Sequence, residues 1–530
     1  MEILIAIIGL LLVTVIMVAV GERTGLPWPV LHTLVAAGAI FVPWIPNISI
    51  PANLILPIFI PPLLWALARR TSWQAIRSEW RTVLMLSVAL VLVSAFAVGV
   101  TAYLLIPALS LAGALIIGAA IAPPDPVAVD AVAEPAGVPH RITNTLQTEG
   151  LFNDAASIVV FNLALSVLLS GQEVSPWRAV LTFLYAAGAA VLIGYLLGWG
   201  FARLHSWMSN SSTRIALTWV IPFATYIIAE EVHASGVIAI VIAAITFSSK
   251  ADQMAEDRLS GTAFWHVVEL LFTGVAFGLI GLSVRSAIEE VGSSLWHAVW
   301  VGVVLSVVAI AVRAAWMYGM YRFNMRKGVA TGAPLRLQEV LLLTWAGMRG
   351  LVTLALVLAI PAGTSFAIYH EVSVIALTVL FFTMVLPGLT LPWLMRKLTL
   401  ASAQNSFGDQ EREALIRGAR QAALETVQHH AQDIPHEQLE AIQSGIRGVF
   451  DVPEEFEQLT AEEKIRLYRE HTLKAAVYRL EALRASQVYL LQARKHAKVD
   501  PVTVDELLMD VDRKIVIAKQ RVAQAKEQVQ

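Results

Sequence analysis

The sequence predicts an all-α polytopic membrane protein of about thirteen transmembrane helices, followed by a helical cytoplasmic tail. Three observations predict it. Of the 530 residues, 57% are hydrophobic and 15% charged, a balance typical of chains solvated by lipid. Charge is unevenly spread: residues 398–530 hold 18 of the 38 Lys+Arg and 21 of the 40 Asp+Glu, so a boundary near Leu398 divides a membrane domain from a polar tail. Apolar runs close to the ~20 residues that a helical span needs recur up to that boundary. The chain has no cysteine, which excludes disulfides, thiolate metal sites and a thiol nucleophile. A net charge of −2 gives no case for nucleic acid.

The expected spans lie at roughly 3–20, 26–43, 52–68, 82–106, 109–133, 142–169, 177–204, 213–229, 234–248, 262–284, 293–322, 337–361 and 371–397. The first lacks a basic n-region and an A-x-A site, so it reads as a span and not as a cleaved signal. Glu230-Glu231-Val232-His233 forms the short loop between the eighth and ninth. With this count, loops on one side carry 16 Lys and Arg, whereas the other side has only Arg178 and Arg285. The positive-inside rule then puts the tail in the cytoplasm and the N-terminus outside, in a plasma (inner) membrane.

Three spans carry features that packing alone does not require. The sixth contains Glu149-Gly150-Leu151-Phe152-Asn153-Asp154-Ala155, with two carboxylates and a carboxamide in an apolar run. A carboxylate there costs several kcal/mol unless it is paired, hydrated or bound to a cation, so an ion or proton pathway is the default reading. As one continuous helix, this stretch puts Glu149 and Asn153 on one face and Gly150 and Asp154 on the neighbouring one. The fifth span reads Ala122-Pro123-Pro124-Asp125-Pro126-Val127-Ala128-Val129-Asp130. Pro123, Pro124 and Pro126 lack N–H groups and clash with the preceding turn, so the helix opens. An ordinary kink accounts for the prolines but does not need Asp125. Open backbone at membrane depth is tolerated where it lines a cavity or is buried in protein.

The twelfth span has a matching interruption, in which Gly347 and Gly350 flank Met348-Arg349. Broken helices at corresponding positions of two halves point to a transporter site, and an offset of seven spans reverses membrane direction, as inverted repeats require. Arg313 in the eleventh span is a second intramembrane arginine, and Glu269 lies in the tenth. Arg313 and Arg349 offset two of the three charges on Asp125, Glu149 and Asp154, leaving about one negative charge for one exchangeable cation.

The tail reads as helices over Leu415–Val427, Ala461–Lys495 and Val502–Gln528, with a Thr460/Glu463 capping box and a break at Asp451-Val452-Pro453. A solvated helical bundle or coiled coil is the simplest account. A regulatory or oligomerising role, through contact with its own membrane domain or a cytoplasmic regulator, is the alternative. His429, His430 and His436 lack metal-ligand spacing.

These residues resemble the monovalent cation:proton antiporter family, in particular bacterial NhaP/NHE-type sodium/proton exchangers. Pro124 to Val129 is similar to the family's D-P-V-A-V segment in an unwound helix. Glu149 to Asp154 is similar to its E-x-x-x-N-D helix, and Gly347 to Gly350 to its G-[LM]-R-G segment. The resemblance covers about residues 1–398. It implies two six-helix inverted repeats with crossed discontinuous helices. A core then lies at about 82–169 and 293–397, a dimerisation scaffold at about 1–68 and 213–284, and a linker helix at about 177–204, with the tail at 399–530. It further implies that Asp154 binds cation or proton, that Asp125 is a second cation ligand or a stabiliser, that Glu149 and Arg349 form a structural pair near the site, and that Arg313 is a buried cation nearby. Asn153, in place of a second aspartate, implies electroneutral one-for-one exchange of Na⁺ for H⁺, with no cofactor and a homodimer serving pH homeostasis.

Two departures leave the ligand set open. Gly150 stands where some family members have serine, and Pro124 where threonine is frequent, and both changes remove a hydroxyl. Water, Ser157 or backbone carbonyls such as that of Pro124 are the candidates to fill in, and K⁺/H⁺ or broad Na⁺/K⁺/Li⁺ exchange remains an alternative. A channel-like or sensory membrane protein is the reading from a different class. There is no H-E-x-x-H pair and no Ser-His dyad in the spans to argue for an enzyme.

Overall fold

The computed structural model describes residues 2–38, 52–71, 73–78, 80–125, 138, 140–170, 176–251, 255–327, 334–361, 366, 368–398, 414–419, 421–423, 425–426, 461–494 and 501–529. Every regular element among them is helical. The first helices are α1 (Glu2–Thr24), α2 (Trp28–Ala37) and α3 (Ala52–Ala68), the last tolerating Pro57, Pro61 and Pro62 in its interior. Helix α4 (Trp80–Leu105) contains one π turn at Met85–Ala89. Helix α5 (Leu111–Ile121) starts where the Ser110 hydroxyl accepts the Gly113 N–H at 3.1 Å.

Helices α6 (His140–Gly150) and α7 (Asn153–Ser170) follow. Then come α8 (Pro176–Trp207), α9 (Ser211–Glu231), α10 (Gly236–Lys250), α11 (Ala255–Val291) and α12 (Leu295–Lys327). Helices α13 (Leu337–Trp345) and α14 (Leu351–Leu358) are the two halves of an interrupted span. Helix α15 (Val372–Lys397) has its own π turn at Phe381–Val385.

Among the described residues, eight stretches are long and apolar enough to cross a membrane (α1, α4, α6 with α7, α8, α9, α11, α12 and α15), and α2, α3, α5 and α10 are shorter apolar helices. The chain is therefore a multi-pass membrane protein. Most of the apolar surface of α1 and α8 is left exposed, as suits helices facing lipid.

Two expectations need correction. The sixth span is not one regular helix: Leu151 and Phe152 form a turn between α6 and α7, inside an apolar span that runs from Ile142 to Leu169. Helix α11 begins at Ala255 and not near residue 262, because Glu256, Asp257 and Arg258 find partners that stabilise two further turns.

The described residues fall into two compact units. The first comprises Met1–His205, Ala216–Ala251 and Trp265–Ser402. One apolar cluster joins α4, α6, α12, α13 and α15 through Leu86, Leu90, Ile142, Leu146, Met317, Leu342, Leu343 and Met384. A second cluster packs Leu10 of α1 and Ile55, Phe59 and Leu63 of α3 with Ala276 and Leu279 of α11 and Leu351 and Ala355 of α14.

The second unit comprises Ser206–Ile215, Asp252–Phe264 and Ala403–Gln530. Helices α16 (Ala461–Ala493) and α17 (Pro501–Val529) pack along each other, with Leu415 and Ala419 against Leu490, Val504 and Leu508. This bundle is less solvated than its composition implies. Asp512 is fully buried and accepts Arg258 Nε and Nη2 at 2.6 and 2.7 Å, together with the Gln487 amide at 2.6 Å. Arg214 pairs with Asp257 at 2.8 Å and Lys519 with Glu256 at 2.9 Å. The expected features at His429, His430, His436, Asp451–Pro453 and Thr460 lie outside the described residues, as do Pro126 and the residues to Asp130.

Candidate ion-binding site

An interrupted helix leaves its last carbonyls and first N–H groups without partners, and burial makes each one costly. The site is built from how these groups are satisfied. Helix α5 ends at Ile121, just ahead of Pro123 and Pro124. Helix α13 ends at Trp345, and Ala346 to Gly350 carry the chain to α14 in non-helical conformation. The two breaks meet. The Asp125 N–H donates to the Met348 carbonyl at 2.7 Å, and the Leu351 N–H, first of α14, donates to Asp125 Oδ2 at 3.0 Å. That carboxylate thus sits at the positive end of a half-helix, where negative charge is favoured.

The negative ends are covered by guanidinium groups. Arg349 donates through Nε to the Ile121 carbonyl at 3.2 Å and through Nη1 to the Gly347 carbonyl at 2.8 Å. Arg313 donates through Nε to the Leu343 carbonyl at 2.9 Å. Both glycines of the motif are required by close approach. A Cβ on Gly350 would fall 1.8 Å from Asp125 Oδ2, and one on Gly347 would fall 2.1 Å from Arg313 Nε.

The third break lies beside the first two. Asn153, at the start of α7, donates its amide to the Pro124 carbonyl and accepts the Asp154 N–H at 2.7 Å, which ties the α6–α7 turn to the α5 break. Ser157 donates to the Ala119 carbonyl at 2.7 Å, holding α7 against α5. The Glu149 carbonyl, orphaned at the end of α6, is taken by Ser87 of the α4 π turn at 2.7 Å. A π turn at such a place is a recurrent device for aiming a side chain at a site.

The five buried charged side chains at the breaks then divide. Glu149 receives both terminal nitrogens of Arg313, the second at 2.9 Å, in a fork-to-fork pair. The partner implied by resemblance was Arg349. Arg349 lies within electrostatic reach of Glu149 and donates to the backbone carbonyls of Ile121 and Gly347, acceptors that the opened helix ends supply. Asp154 is buried, interacts electrostatically with Asp125, and has one carboxylate oxygen, Oδ1, with no hydrogen-bond partner among the described residues. Among those residues no three His, Asp or Glu side chains converge as a metal site would require. A cation held at Asp154 and Asp125 therefore needs neutral oxygens to complete its shell.

The sequence reading named Asp125, Glu149, Asn153, Asp154, Ser157, Arg313, Gly347, Arg349, Gly350 and the Pro124 carbonyl, and the structure places all of them at or beside the breaks. The reading missed Ser87, which the sequence does not distinguish from Thr82, Ser94 and Thr101 in the same apolar run 82–106, and the Leu351 N–H, a backbone group with no signal at all. Glu269 is half-exposed and pairs with Arg70 at 2.7 Å.

The family model described as "Sodium/hydrogen exchanger, transmembrane" matches residues 8–397. The chain belongs to this exchanger family. Among relatives, it is 29% identical to the Na⁺/H⁺ antiporter ApNhaP of Aphanothece halophytica, over 77% of this chain and 76% of that protein. It is 25% identical to the sodium, potassium, lithium and rubidium/H⁺ antiporter of Bacillus pumilus (strain SAFR-032), over 85% and 70%. The solved structure of the sodium proton antiporter MjNhaP1 from Methanocaldococcus jannaschii at pH 8 aligns with a TM-score of 0.56 at 18% identity, covering 75% of this exchanger and 99% of that chain. That likeness establishes the fold of the membrane portion. The match ends at residue 397, one residue short of the compositional boundary near Leu398.

Proposed function

We propose that this exchanger carries one Na⁺ inward or outward against one H⁺, electroneutrally, by alternating access at a single carboxylate site on Asp154. The observation that carries this reading is the contrast in charge compensation. Arg313 neutralises Glu149, and the α14 N-terminus supports Asp125, whereas Asp154 Oδ1 has no partner among the described residues. A buried carboxylate in that condition gains from taking up either a proton or a cation, and the two exclude each other. An empty, charged site resists dehydration, so the transporter turns over only when loaded, which makes exchange obligatory. Protons competing for the same carboxylate raise the half-saturating Na⁺ concentration as pH falls.

Asp125 serves as the second carboxylate of the cation site, and Asn153 braces the two breaks. Arg349 and Arg313 hold the opened helix ends. The working organisation has thirteen crossings, with the N-terminus outside, the tail in the cytoplasm and the protein in the plasma membrane. The core at about 82–169 and 293–397 moves against a dimerising scaffold. The absence of a hydroxyl at Gly150 and Pro124, with the broad cation range in the name of the Bacillus pumilus relative, supports K⁺/H⁺ exchange as the second reading.

The test is proton release from everted vesicles or proteoliposomes on adding Na⁺, then K⁺, then Li⁺, with wild type beside Asp154→Asn. A Na⁺ response independent of membrane potential and lost in the variant is the expected result. A response to K⁺ alone keeps the mechanism and changes the substrate. Wild-type rates in Asp154→Asn would sink the assignment, and a current without coupled proton flux would make the protein a channel.

A further inference from the structure

The cation shell inferred above lacks neutral oxygens, and one buried hydroxyl at the breaks is uncommitted. Thr353 sits in the first turn of α14 at 1% exposure, and its Oγ1 has no hydrogen-bond partner among the described residues. A helical threonine ordinarily donates to the carbonyl three or four residues back. Thr14, Thr33, Thr101, Thr344, Thr378 and Thr383 all do so in this fold. For Thr353 those carbonyls belong to Gly350 and Arg349, which lie in the non-helical break. Thr225, Thr246 and Thr273 also carry buried hydroxyls without a partner among the described residues, but each stands inside a continuous helix. Of these four, only Thr353 has its default acceptors in the break.

Its direction follows from the packing of α14. Leu351 and Ala355 face α3 and α11 in the second apolar cluster. Thr353 stands two residues from each, about 200° round the helix, so it faces the opposite side. Apart from α3 and α11, the helices that pack on α14 are α5, α7 and α15. Gly350, one turn before Thr353 on the same side, is the residue against which the Asp125 carboxylate rests. Helix α7, which carries the other unpartnered oxygen, Asp154 Oδ1, packs against α14 as well. Asp125 accepts the Leu351 N–H and so offsets the positive end of α14, which would otherwise oppose a cation beside it.

We propose that Thr353 is a cation ligand of this exchanger: its hydroxyl oxygen completes the oxygen set that Asp154 and Asp125 begin. It supplies on α14 the hydroxyl that neither Gly150 nor Pro124 offers. The proposal rests on the antiport reading and deepens it, by assigning a specificity-determining residue to the same site. The threonine side chain is β-branched and stiff, so it holds its hydroxyl oxygen in place; a smaller cation approaches that oxygen more closely and gains more from it, so its removal should weaken binding of Na⁺ and Li⁺ more than of the larger K⁺.

The experiment measures half-saturating Na⁺, Li⁺ and K⁺ for proton release in proteoliposomes. It compares wild type, Asp154→Asn, the isosteric Thr353→Val and the conservative Thr353→Ser, together with the rise in melting temperature of each purified protein on adding Na⁺. The expected result for Thr353→Val is a rise of about tenfold in half-saturating Na⁺, larger than the change in maximal rate and equivalent to one lost ligand. The Na⁺-dependent rise in melting temperature should shrink in parallel, and Thr353→Ser should restore both. Half-saturation within twofold of wild type in Thr353→Val overturns the proposal. Equal impairment of the valine and serine variants, with equal loss of folded protein, overturns it in favour of a packing role. If wild type exchanges cations and Asp154→Asn does not, while Thr353→Val is unchanged, the antiport reading stands and only this assignment falls. If wild type exchanges nothing, both fall.

Discussion

Glu149 and Asp154 lie in the same apolar stretch, on either side of a two-residue turn, and both are buried. Their surroundings differ in kind. Glu149 closes α6 with both oxygens on the Arg313 guanidinium and its carbonyl on Ser87. Asp154 opens α7 with Oδ1 unpartnered among the described residues and a second carboxylate, Asp125, within electrostatic reach. Desolvation acts on both. In one case a cation built into the fold answers it permanently, and in the other the compensation is left to a mobile cation or a proton. Five residues apart in the chain, the two carboxylates need not share a helix face, and they point into different environments.

The largest test of this contrast is Asp154→Asn, expected to lower cation-dependent proton release by about 100-fold or more while the protein still folds, since an amide keeps the shape and removes the exchangeable charge. Glu149→Gln should do the reverse. It leaves Arg313 buried without its counter-charge, a change that typically costs about 3–5 kcal/mol, so the yield of folded protein in the membrane should fall. Normal expression with no exchange would move Glu149 to the transport side. Gly350→Ala sharpens the comparison at Asp125. The added methyl cannot coexist with the present carboxylate position, and an exchange rate lowered by about tenfold or more is expected with folding less affected.

The smallest effect on transport is expected at the other fully buried carboxylate with an arginine, Asp512. Asp512→Asn weakens the Arg258 pair, and the checks are faster amide exchange and easier proteolysis in 501–529. Exchange reduced as strongly as by Gly350→Ala would show that the tail bundle takes part in transport.

Much of the site was legible because burial of charge is rare in apolar spans and proline and glycine are strong punctuation. Asp125, Glu149, Asp154, Arg313 and Arg349 stand out as the charges that lipid-solvated helices cannot ignore, and Pro123, Pro124, Gly347 and Gly350 mark where the backbone opens. The third break was not legible. Leu151 and Phe152 are ordinary helix formers, and the turn there depends on Asn153 reaching the Pro124 carbonyl and Ser87 taking the Glu149 carbonyl, which are contacts made across 29 and 62 residues of sequence. The choice of Arg313 over Arg349 as partner of Glu149 was equally hidden, since both arginines lie in apolar runs and nothing in their spacing ranks them.

The tail shows the same limit from the polar side. Its helices follow from composition and periodicity, but its buried ion pair depends on Arg258, which precedes Asp512 by 254 residues. The sequence by itself determined the all-helical membrane class, the boundary near Leu398 and the positions of two helix breaks, because hydropathy, charge and backbone chemistry act locally. Only the tertiary structure decided which buried charge is neutralised and which is left open, and which hydroxyl lost its acceptor. Those outcomes depend on which helix ends meet, and partner choice between groups far apart in sequence is a property of packing.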